Sequence, residues 1–322
     1  MQQVRVSYQV RTEDSGLRIY SILSAQHSAL SFNREVRLAD LQDQDLQELV
    51  AIARSIGWGT ADILLEMQDV ELGVQDAGDG PVTRADVAAN RYILDNLQAA
   101  LGTEDFGYLS EENYKTQTDE RSTKPWIWVI DPLDGTRDFI KKTGEFAVHI
   151  ALVQIDRPVL AVVACPAVQT LYFATLHGGT FAEKRDGTIT PVRVSQRNRP
   201  EDLFLVASGS HRDERFSQLL QRFPCQKQRA VGSVGGKVAT ILEQTADVYL
   251  SLSGKSAPKD WDLAAPELIL TEAGGQFTYF DGTLLKYNQK DVSKWGGLIA
   301  SNGLCHKELC LAATEILADI DS

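Results

Sequence analysis

The stretch WVIDPLDGTRDFI, residues 128–140, begins as a β-strand and then changes character within one residue. Its first three residues are apolar and favour a strand. Two carboxylates, Asp131 and Asp134, follow at once, together with a proline and a glycine. Asp, Pro and Gly are ordinary turn residues, so one interpretation is a turn that ends a buried strand. The other acids of the chain favour a second interpretation, in which the strand ends at the floor of a metal site.

Length and composition describe a globular chain with a sizeable core. The 322 residues exceed the roughly 100–200 of a typical domain, so we predict one large domain or two lobes that share a core. The longest apolar runs, such as residues 147–153, are far shorter than the roughly 20 residues that a membrane span needs. The first residues lack the apolar core of a signal peptide. We therefore expect a cytoplasmic protein that binds no membrane.

The charge and the cysteines exclude further classes of function. A net charge of −12 argues against a nucleic-acid polymer or an anionic membrane as partner, since either would favour a basic patch. The cysteines form no C-x-x-C pair and match neither a zinc site nor a disulfide framework, which indicates reduced thiols. They are Cys165, Cys225, Cys305 and Cys310. An anionic substrate would therefore need a local source of positive charge.

Hydrophobic periodicity predicts a mixed α/β fold, antiparallel and β-rich first and β/α-layered afterwards. We predict an N-terminal extension of undefined role at 1–35, an α+β metal-binding lobe at 36–200 and an α/β substrate lobe at 201–322. The first helix should be split or kinked by Gly57 and Gly59. Helices are expected at 38–67, 84–102, 212–222, 234–244, 263–273 and 306–318. Strands are expected at 108–113, 128–130, 146–154, 159–164, 170–174, 179–183, 188–194, 203–207, 247–252, 277–280 and 298–301.

Acidic residues recur at the predicted ends of these elements. Glu111 and Glu112 end one short strand, Asp131 and Asp134 end another, and Asp262 precedes an apolar helical stripe. Alone, Asp262 is most simply a helix N-cap. Carboxylates brought together at such ends repel one another and lose hydration unless a cation lies among them. Hard oxygen ligands of this kind suit Mg²⁺, and bound Mg²⁺ would make the site locally positive in an acidic protein.

Four motifs carry a resemblance to a known family. They are DGPVTRADVAAN (79–90), YLSEEN (108–113), WVIDPLDGTRDFI (128–140) and DWDLAAPELILTEAGG (260–275). In order and spacing they resemble the signatures of the inositol monophosphatase superfamily of Mg²⁺-dependent, lithium-sensitive phosphatases. The resemblance runs from about residue 40 to the C-terminus. It implies a layered αβαβα sandwich of the sugar-phosphatase type and a small-molecule phosphate ester as substrate.

The resemblance assigns a metal role to five positions of this sequence. Glu111 matches the ligand shared between a metal and the nucleophilic water, and Asp131 matches the carboxylate that bridges the metals. Leu133 would lend its backbone carbonyl to the first metal. Asp134 and Asp262 match the ligands of the second metal. Two or three Mg²⁺ ions are implied.

The same resemblance assigns the groups around the water and the phosphate. Thr136 matches the hydroxyl that orients the attacking water, and Asp86 matches the acid that pairs with it and takes part in proton transfer. Gly135 and Thr136 lie where a helix should begin, and in the family their N–H groups hold the phosphate. A catalytically inactive phosphate-binding homologue would lack a ligand or this threonine, and here every expected position is filled.

The substrate is the least determined property. LSEE, DPLDGT and GEFAVHIALV (144–153) most resemble the bisphosphate-nucleotidase branch called CysQ, which removes the 3′-phosphate of 3′-phosphoadenosine 5′-phosphate formed in sulfur metabolism. SGSH (208–211) resembles a segment of that branch whose His, here His211, lies near the nucleotide. A surface residue that caps a helix is the alternative for His211. Inositol monophosphate and fructose 1,6-bisphosphate remain the alternative substrates, and either a monomer or a homodimer remains open.

Two segments depart from the nucleotidase pattern. AVGSVGGKVATI (230–241) has a length nearer the inositol-phosphatase version, and we interpret it as a strand-to-helix turn that brings Ser233 and Lys237 beside the substrate. GKSAPKDWD (254–262) is an unusual approach to the last motif. The sequence therefore leaves open whether Lys255 or Lys259 meets a phosphate, and Asp134 and Asp262 complete the residues expected around the substrate.

Overall fold

The computed structural model describes residues 43–76, 80–115, 124–209, 212–225 and 227–322. The extension predicted at 1–35 lies outside these ranges, and the division into lobes near residue 200 stays a prediction. In the described part of the chain, no helix is both long and apolar enough to cross a membrane.

Seven strands of the described residues form one sheet, the larger sheet, in chain order. A short ladder of β1 (Gln75–Asp76) with β2 (Pro81–Val82) precedes it. The larger sheet consists of β3 (Phe106–Ser110), β4 (Trp126–Asp134), β5 (Ala147–Gln154), β6 (Arg157–Cys165), β7 (Thr170–Thr175), β8 (Gly179–Lys184) and β9 (Ile189–Val192). Its neighbouring strands are antiparallel except β3 and β4, which are parallel.

Five further strands of the described residues form the smaller sheet, in the order β11-β10-β12-β14-β13. They are β10 (Phe204–Ala207), β11 (Lys227–Ala230), β12 (Val248–Leu252), β13 (Gln276–Tyr279) and β14 (Gly297–Ser301). Strand β10 runs parallel to both of its neighbours, whereas β14 is antiparallel to both of its own. The smaller sheet is therefore mixed.

The helices form three layers around the two sheets. They are α1 (Asp43–Met67), α2 (Arg84–Leu101), α3 (Thr136–Ile140), α4 (Glu214–Arg222), α5 (Val234–Leu242), α6 (Asp260–Glu272) and α7 (His306–Ile320). Helices α1 and α2 pack on the outer face of the larger sheet, α5 and α6 pack between the sheets, and α4 and α7 cover the smaller sheet. This is the αβαβα sandwich predicted from the motifs, and that prediction is confirmed.

Strand β4 shows why the larger sheet is covered on both faces. Its residues Trp126, Trp128 and Ile130 pack into the core under α1 and α2, whereas Ile127 and Val129 pack into the core under α5 and α6. Successive side chains of a strand point to opposite faces, so a strand buried on both faces reads as an unbroken apolar run. The polar residues at its end are therefore held at the rim of a rigid, fully buried strand.

Three local expectations were wrong. Helix α1 is continuous across Gly57 and Gly59, so the predicted split into two helices is wrong, whereas the kink stays a prediction. A Cβ at Gly57 would press on Val162 and Leu171 of the larger sheet, and one at Gly59 would collide with Tyr92 of α2. These glycines therefore permit close packing and do not break the helix, which propensity alone does not reveal.

The second and third differences concern strand and helix ends. Strand β4 does not stop before Asp131 but continues to Asp134, with a register shift against β5 between the two aspartates. Helix α6 begins at Asp260 and has Lys259 as N-cap, so Asp262 lies inside the first turn and is not the cap. Strand β11 was not expected because it is an exposed, polar edge strand.

Candidate active site

The parallel pairing of β3 with β4 brings two acidic segments to one edge of the larger sheet. Residues 106–110 pair in register with residues 126–130, so the carboxyl ends of both strands lie side by side. Glu111 follows β3 directly, and its backbone N–H donates to the carbonyl of Ile130 at 3.2 Å. The Glu111 segment is therefore held against the start of the Asp131 segment.

The irregular end of β4 places two aspartates at the same rim. Pro132 has no N–H to donate to the ladder, and the N–H of Leu133 donates to Asp131 Oδ1 at 3.0 Å. Asp131 is 1% exposed and Asp134 9% exposed. The Leu133 side chain is buried in the core, while its carbonyl oxygen lies 3.2 Å from Thr136 Oγ1. The register shift thus allows both carboxylates to lie on the same side of the rim.

Helix α6 supplies a third carboxylate from far along the chain. Asp262 Oδ2 accepts the backbone N–H of Lys259 at 2.5 Å, which ties the carboxylate to the first turn of α6. One carboxylate oxygen each from Asp131, Asp134 and Asp262 lies within 4.8 Å of the others. Glu111 is not part of this group of three, but its charge acts on Asp262 and Asp131. The four acids form what we call the carboxylate cluster.

Burial and mutual repulsion raise the pKa values of three of the four carboxyls in the cluster. Burial, then the charges of Asp262 and Glu112, raise the pKa of Glu111 to about 8. Burial, then Asp134, raise the pKa of Asp262 to about 6, although the Lys259 N–H and ammonium oppose this. Burial, then Glu111 and Asp134, hold the pKa of Asp131 well above its usual range. Without a cation these groups therefore keep their protons to higher pH than ordinary carboxyls do.

Asp134 behaves differently from the rest of the cluster. Burial would raise the pKa of this carboxyl, but His149, Lys237 and the N–H of Gly235 lower it overall. Its Oδ2 accepts the Gly235 N–H at 2.9 Å and lies 3.2 Å from His149 Nε2. One aspartate of the cluster is thus held in its charged form by the protein itself.

The donor set fits a divalent metal ion. The ligand atoms are carboxylate oxygens within a few ångströms of one another, which is the hard-oxygen environment that Mg²⁺ prefers. Glu112 Oε1 beside the cluster is buried without a hydrogen-bond partner, and burial followed by Asp86 raises the pKa of Glu112 to about 7. A bound cation would compensate both the repulsion and this unpartnered oxygen.

A hydroxyl and a carboxylate stand next to the cluster. Thr136 Oγ1 donates to Asp86 Oδ1 at 3.0 Å. The other oxygen of Asp86 accepts from Thr83, from its N–H at 2.8 Å and from its hydroxyl at 2.6 Å, in the capping box that starts α2. Asp86 is 2% exposed, and burial raises its pKa despite these hydrogen bonds. The start of α2 thus fixes an acceptor for the threonine hydroxyl.

A cleft of about 340 Å³ opens beside the cluster, large enough for a small organic phosphate. Among the described residues, its lining includes Glu111, Asp134, Gly135, Thr136, Arg137, Asp138, Tyr114, Ser208, Lys237, Tyr249, Lys259, Trp261 and Asp262. Neither Lys255 nor Ser233 lines it. Ser233 is the N-cap of α5 and accepts the Gly236 N–H at 2.8 Å. His211 lies outside the described residues.

The two lysines that line the cleft are held in different ways. The ammonium of Lys237 is buried and donates to the carbonyls of Gly232 and Ser233, the latter at 3.1 Å. Burial lowers the pKa of Lys237 to about 8. The ammonium of Lys259 lies over two aromatic rings, 5.5 Å from that of Trp261 and 5.9 Å from that of Tyr114. Both lysines thus bring positive charge to a cleft whose rim is acidic.

Sequence reasoning missed three contributors to this site. Tyr114 and Trp261 line the cleft with rings 4.8 Å apart, and His149 lies behind Asp134. A signal for His149 existed, since it interrupts the otherwise apolar β5. Tyr114 and Trp261 carried no such signal, because an aromatic residue near a motif is more often part of a core.

A model of the inositol monophosphatase family matches residues 45–318. The chain belongs to the inositol monophosphatase family. The resemblance predicted from the four motifs is therefore confirmed, and the protein is a phosphatase. Members of this family depend on metal ions, in agreement with the carboxylate cluster.

Two curated relatives are 3′(2′),5′-bisphosphate nucleotidases named CysQ. That of Salmonella typhimurium is 31% identical over 249 residues, which cover 76% of this chain and 95% of the relative. That of Haemophilus influenzae is 31% identical over 253 residues, covering 78% of this chain and 90% of the relative.

Solved structures of the same fold extend the comparison. The IMPase of Thermotoga maritima superposes with a TM-score of 0.71 at 23% identity, over 85% of this chain and 99% of that chain. The extragenic suppressor protein SuhB of Bartonella henselae superposes with a TM-score of 0.71 at 25% identity, over 83% and 98%. These structures agree with the layered architecture described above.

Proposed function

We propose that this phosphatase hydrolyses the 3′-phosphate of 3′-phosphoadenosine 5′-phosphate to give AMP and phosphate, depends on Mg²⁺ and is inhibited by lithium. The observation that carries the chemistry is the group of three carboxylates within 4.8 Å beside the Thr136–Asp86 hydrogen bond. The choice of substrate is supported by the relatives named CysQ. Location in the cytoplasm and a monomeric or dimeric state stay predictions.

The metal ligands of the proposal are one group of oxygens. Two or three Mg²⁺ ions would be held by the carboxylates of Glu111, Asp131, Asp134 and Asp262 and by the carbonyl of Leu133. Bound there, Mg²⁺ supplies the positive charge that neutralises the phosphate and favours in-line attack by water. The residues with raised pKa values would lose their protons as the ions enter, so metal binding and proton release are coupled.

Thr136 and Asp86 orient the nucleophile in this proposal. A threonine hydroxyl has one proton to donate, and Asp86 Oδ1 accepts it at 3.0 Å. The lone pairs of the hydroxyl are then directed to accept from a water molecule beside Glu111. As that water attacks, its proton passes along the hydroxyl to the Asp86 carboxylate, whose raised pKa makes it a better acceptor.

The proposal assigns the reacting phosphate to the backbone N–H groups of Gly135 and Thr136. A second phosphate, beyond the reach of the metals, needs its own cation. Lys237 and Lys259 are the described candidates, since both line the cleft. His211 and Lys255 are retained from the sequence, the first outside the described residues. Replacing the correct cation should raise KM for the bisphosphate and spare a simple monophosphate.

A phosphate-release panel tests the substrate. The purified protein with Mg²⁺ is given 3′-phosphoadenosine 5′-phosphate, inositol 1-phosphate and fructose 1,6-bisphosphate at equal concentration. We expect kcat/KM for the nucleotide to be at least roughly tenfold above that for inositol 1-phosphate, about 1.4 kcal/mol of differential transition-state binding. If either alternative substrate is preferred, the nucleotidase assignment is wrong and the metal chemistry remains.

Inhibition by lithium is a second test of the metal requirement. We expect Li⁺ to inhibit in an uncompetitive or mixed manner, because it would replace the more weakly held Mg²⁺ while product phosphate is still bound. The same panel with LiCl, and with NaCl or KCl as control for ionic strength, separates this effect from screening. Full activity at lithium concentrations well above those of Mg²⁺ would contradict this part of the proposal.

A further inference from the structure

His149 lies in the middle of β5 and is fully buried behind the carboxylate cluster. Its Nδ1 lies 3.2 Å from the carbonyl oxygen of Trp261. Its Nε2 lies 3.2 Å from Asp134 Oδ2, at ion-pair distance, and has no hydrogen-bond partner of good geometry. The two ring nitrogens thus face two different segments of the candidate site.

Each of these contacts bears on a residue of the carboxylate cluster. Asp134 Oδ2 receives the Gly235 N–H at 2.9 Å in addition to His149, so this oxygen is approached from two sides. Neither contact involves Oδ1, the oxygen that is left for a cation in the proposal below. Trp261 directly precedes Asp262, so the bond to its carbonyl holds the backbone that carries the Asp262 carboxylate. One imidazole therefore connects the end of β4 with the start of α6.

Packing alone does not account for a histidine at this position. The rest of β5 reads Ala-Val, then Ile-Ala-Leu-Val and a final Gln154, and all of it except Gln154 is buried. Burying a polar ring in such a place costs free energy unless its nitrogens are engaged. Gly235 supports the same conclusion, because a Cβ at this residue would collide with Nε2 of His149. The chain therefore makes room for the ring directly against Asp134.

We propose that His149 is a positioning residue for the metal centre: its Nε2 edge fixes the position of the Asp134 carboxylate, and its Nδ1 edge packs against the carbonyl of Trp261 at the start of α6. Partners that orient a metal ligand typically contribute about 10- to 100-fold to metal affinity or activity. The proposal rests on the carboxylate cluster being the metal site of the proposed function. His149 is fully buried and is not among the described residues that line the cleft.

A pair of variants of similar side-chain length tests the proposal. In His149→Gln the amide can reach the position of Nε2 and donate to Asp134, whereas in His149→Met the thioether cannot. Mg²⁺ alone is titrated calorimetrically into the metal-free protein, with thermal unfolding as the check on folding. We expect His149→Gln to bind Mg²⁺ within about threefold of the unmodified protein and His149→Met to bind it at least roughly tenfold more weakly. Equal affinity in the two variants overturns the proposal, whether both are normal or both are weak.

A third variant and a kinetic readout separate the two contacts. His149→Asn keeps a donor near the position of Nδ1 but reaches no farther, so it should bind Mg²⁺ as weakly as His149→Met. Because His149 does not line the cleft, the loss in His149→Met should appear in the Mg²⁺ requirement, with kcat recovering to within a few-fold at saturating Mg²⁺. A kcat that stays low at saturating Mg²⁺, with normal Mg²⁺ affinity, would overturn the positioning role.

The outcomes for the two proposals are distinguishable. If the unmodified protein binds no Mg²⁺, the metal site of the proposed function fails before His149 is considered. If it binds Mg²⁺ and the glutamine and methionine variants do not differ, only the role of His149 fails. Should His149→Asn not fold, the comparison of glutamine with methionine still decides the question.

Discussion

Among the described residues, two groups of buried acids differ in how their charge is compensated. Three acids of the scaffold are fully buried, and each has a cation of the protein as partner: Asp260 with Lys294, Asp247 with Arg197, and Glu267 with Arg157. In the carboxylate cluster several acids share few cations, and burial with mutual repulsion raises the pKa values of Glu111, Asp131 and Asp262.

The difference separates structural acids from acids kept for a ligand. A buried carboxylate without a partner is costly, so a stable fold normally supplies one for each. Where the chain supplies too few cationic partners, as in the cluster, we expect a bound metal cation to neutralise the remaining negative charge. Asp260 and Asp262 show this within one helix turn, since the first is paired with Lys294 and the second faces other carboxylates.

The largest effect should come from Asp131→Asn, which removes a charge that the metals require. Because metal ions contribute several kcal/mol to catalysis, we expect kcat/KM to fall at least roughly a thousandfold, about 4 kcal/mol. The metal-free variant should be no less stable than the parent, since a repelling carboxylate is gone. Phosphate release and denaturant unfolding in EDTA measure the two quantities. Near-normal turnover in a clean preparation would refute the metal assignment.

Breaking the ion pair of Lys294 with Asp260 in the scaffold should instead lower the stability of the protein. In Lys294→Met the buried Asp260 keeps the Asn288 N–H at 2.7 Å but loses its cation. We expect a loss of about 3 kcal/mol in the free energy of unfolding, at the lower end for a broken buried ion pair. The free energies of unfolding of the metal-free parent and the metal-free Lys294→Met variant are measured by urea denaturation.

The double variant Asp260→Asn with Lys294→Met is the matched control. It removes the uncompensated charge and should recover most of the lost stability, because a buried pair as a whole contributes little. If Lys294→Met unfolds at the same urea concentration as the parent, the scaffold acids are not compensated in the way described here.

The sequence predicted the elements of the site better than its contacts. Glu111, Asp131 and Asp134 follow predicted strands, and their joint arrival at one edge depends only on the pairing of two neighbouring strands. The bond between His149 and Trp261 joins residues 112 positions apart, and no local pattern records it. The buried direction of the Lys237 ammonium likewise depends on packing around α5. Residue type and spacing thus predict a fold and a set of ligands, whereas orientation is decided by tertiary packing.

The smallest effect expected is a pH dependence of stability that only the metal-free protein shows. The pKa values of Glu111, about 8, and Glu112, about 7, lie above the usual range of an unfolded glutamate. Between pH 6.5 and 8 the folded protein therefore holds protons that the unfolded chain has released, so its stability falls as the pH rises. Within the window His306, whose pKa burial lowers to about 4, and Lys237, whose pKa burial lowers to about 8, act in the opposite sense, because the unfolded chain holds these protons to higher pH.

The expected loss across this window is about 1 kcal/mol, and saturating Mg²⁺ should abolish it, because the metal-bound carboxylates are already deprotonated. Urea denaturation at pH 6.5, 7.2 and 8.0, in EDTA and in excess Mg²⁺, measures the two slopes. In EDTA, Glu111→Gln should flatten the slope, since it removes the glutamate of the site whose pKa burial raises furthest, whereas Glu48→Gln on the surface of α1 should leave it unchanged. Parallel slopes with and without Mg²⁺ would mean that the carboxylates of the cluster carry no excess protons, and the contrast with the paired scaffold acids would then disappear.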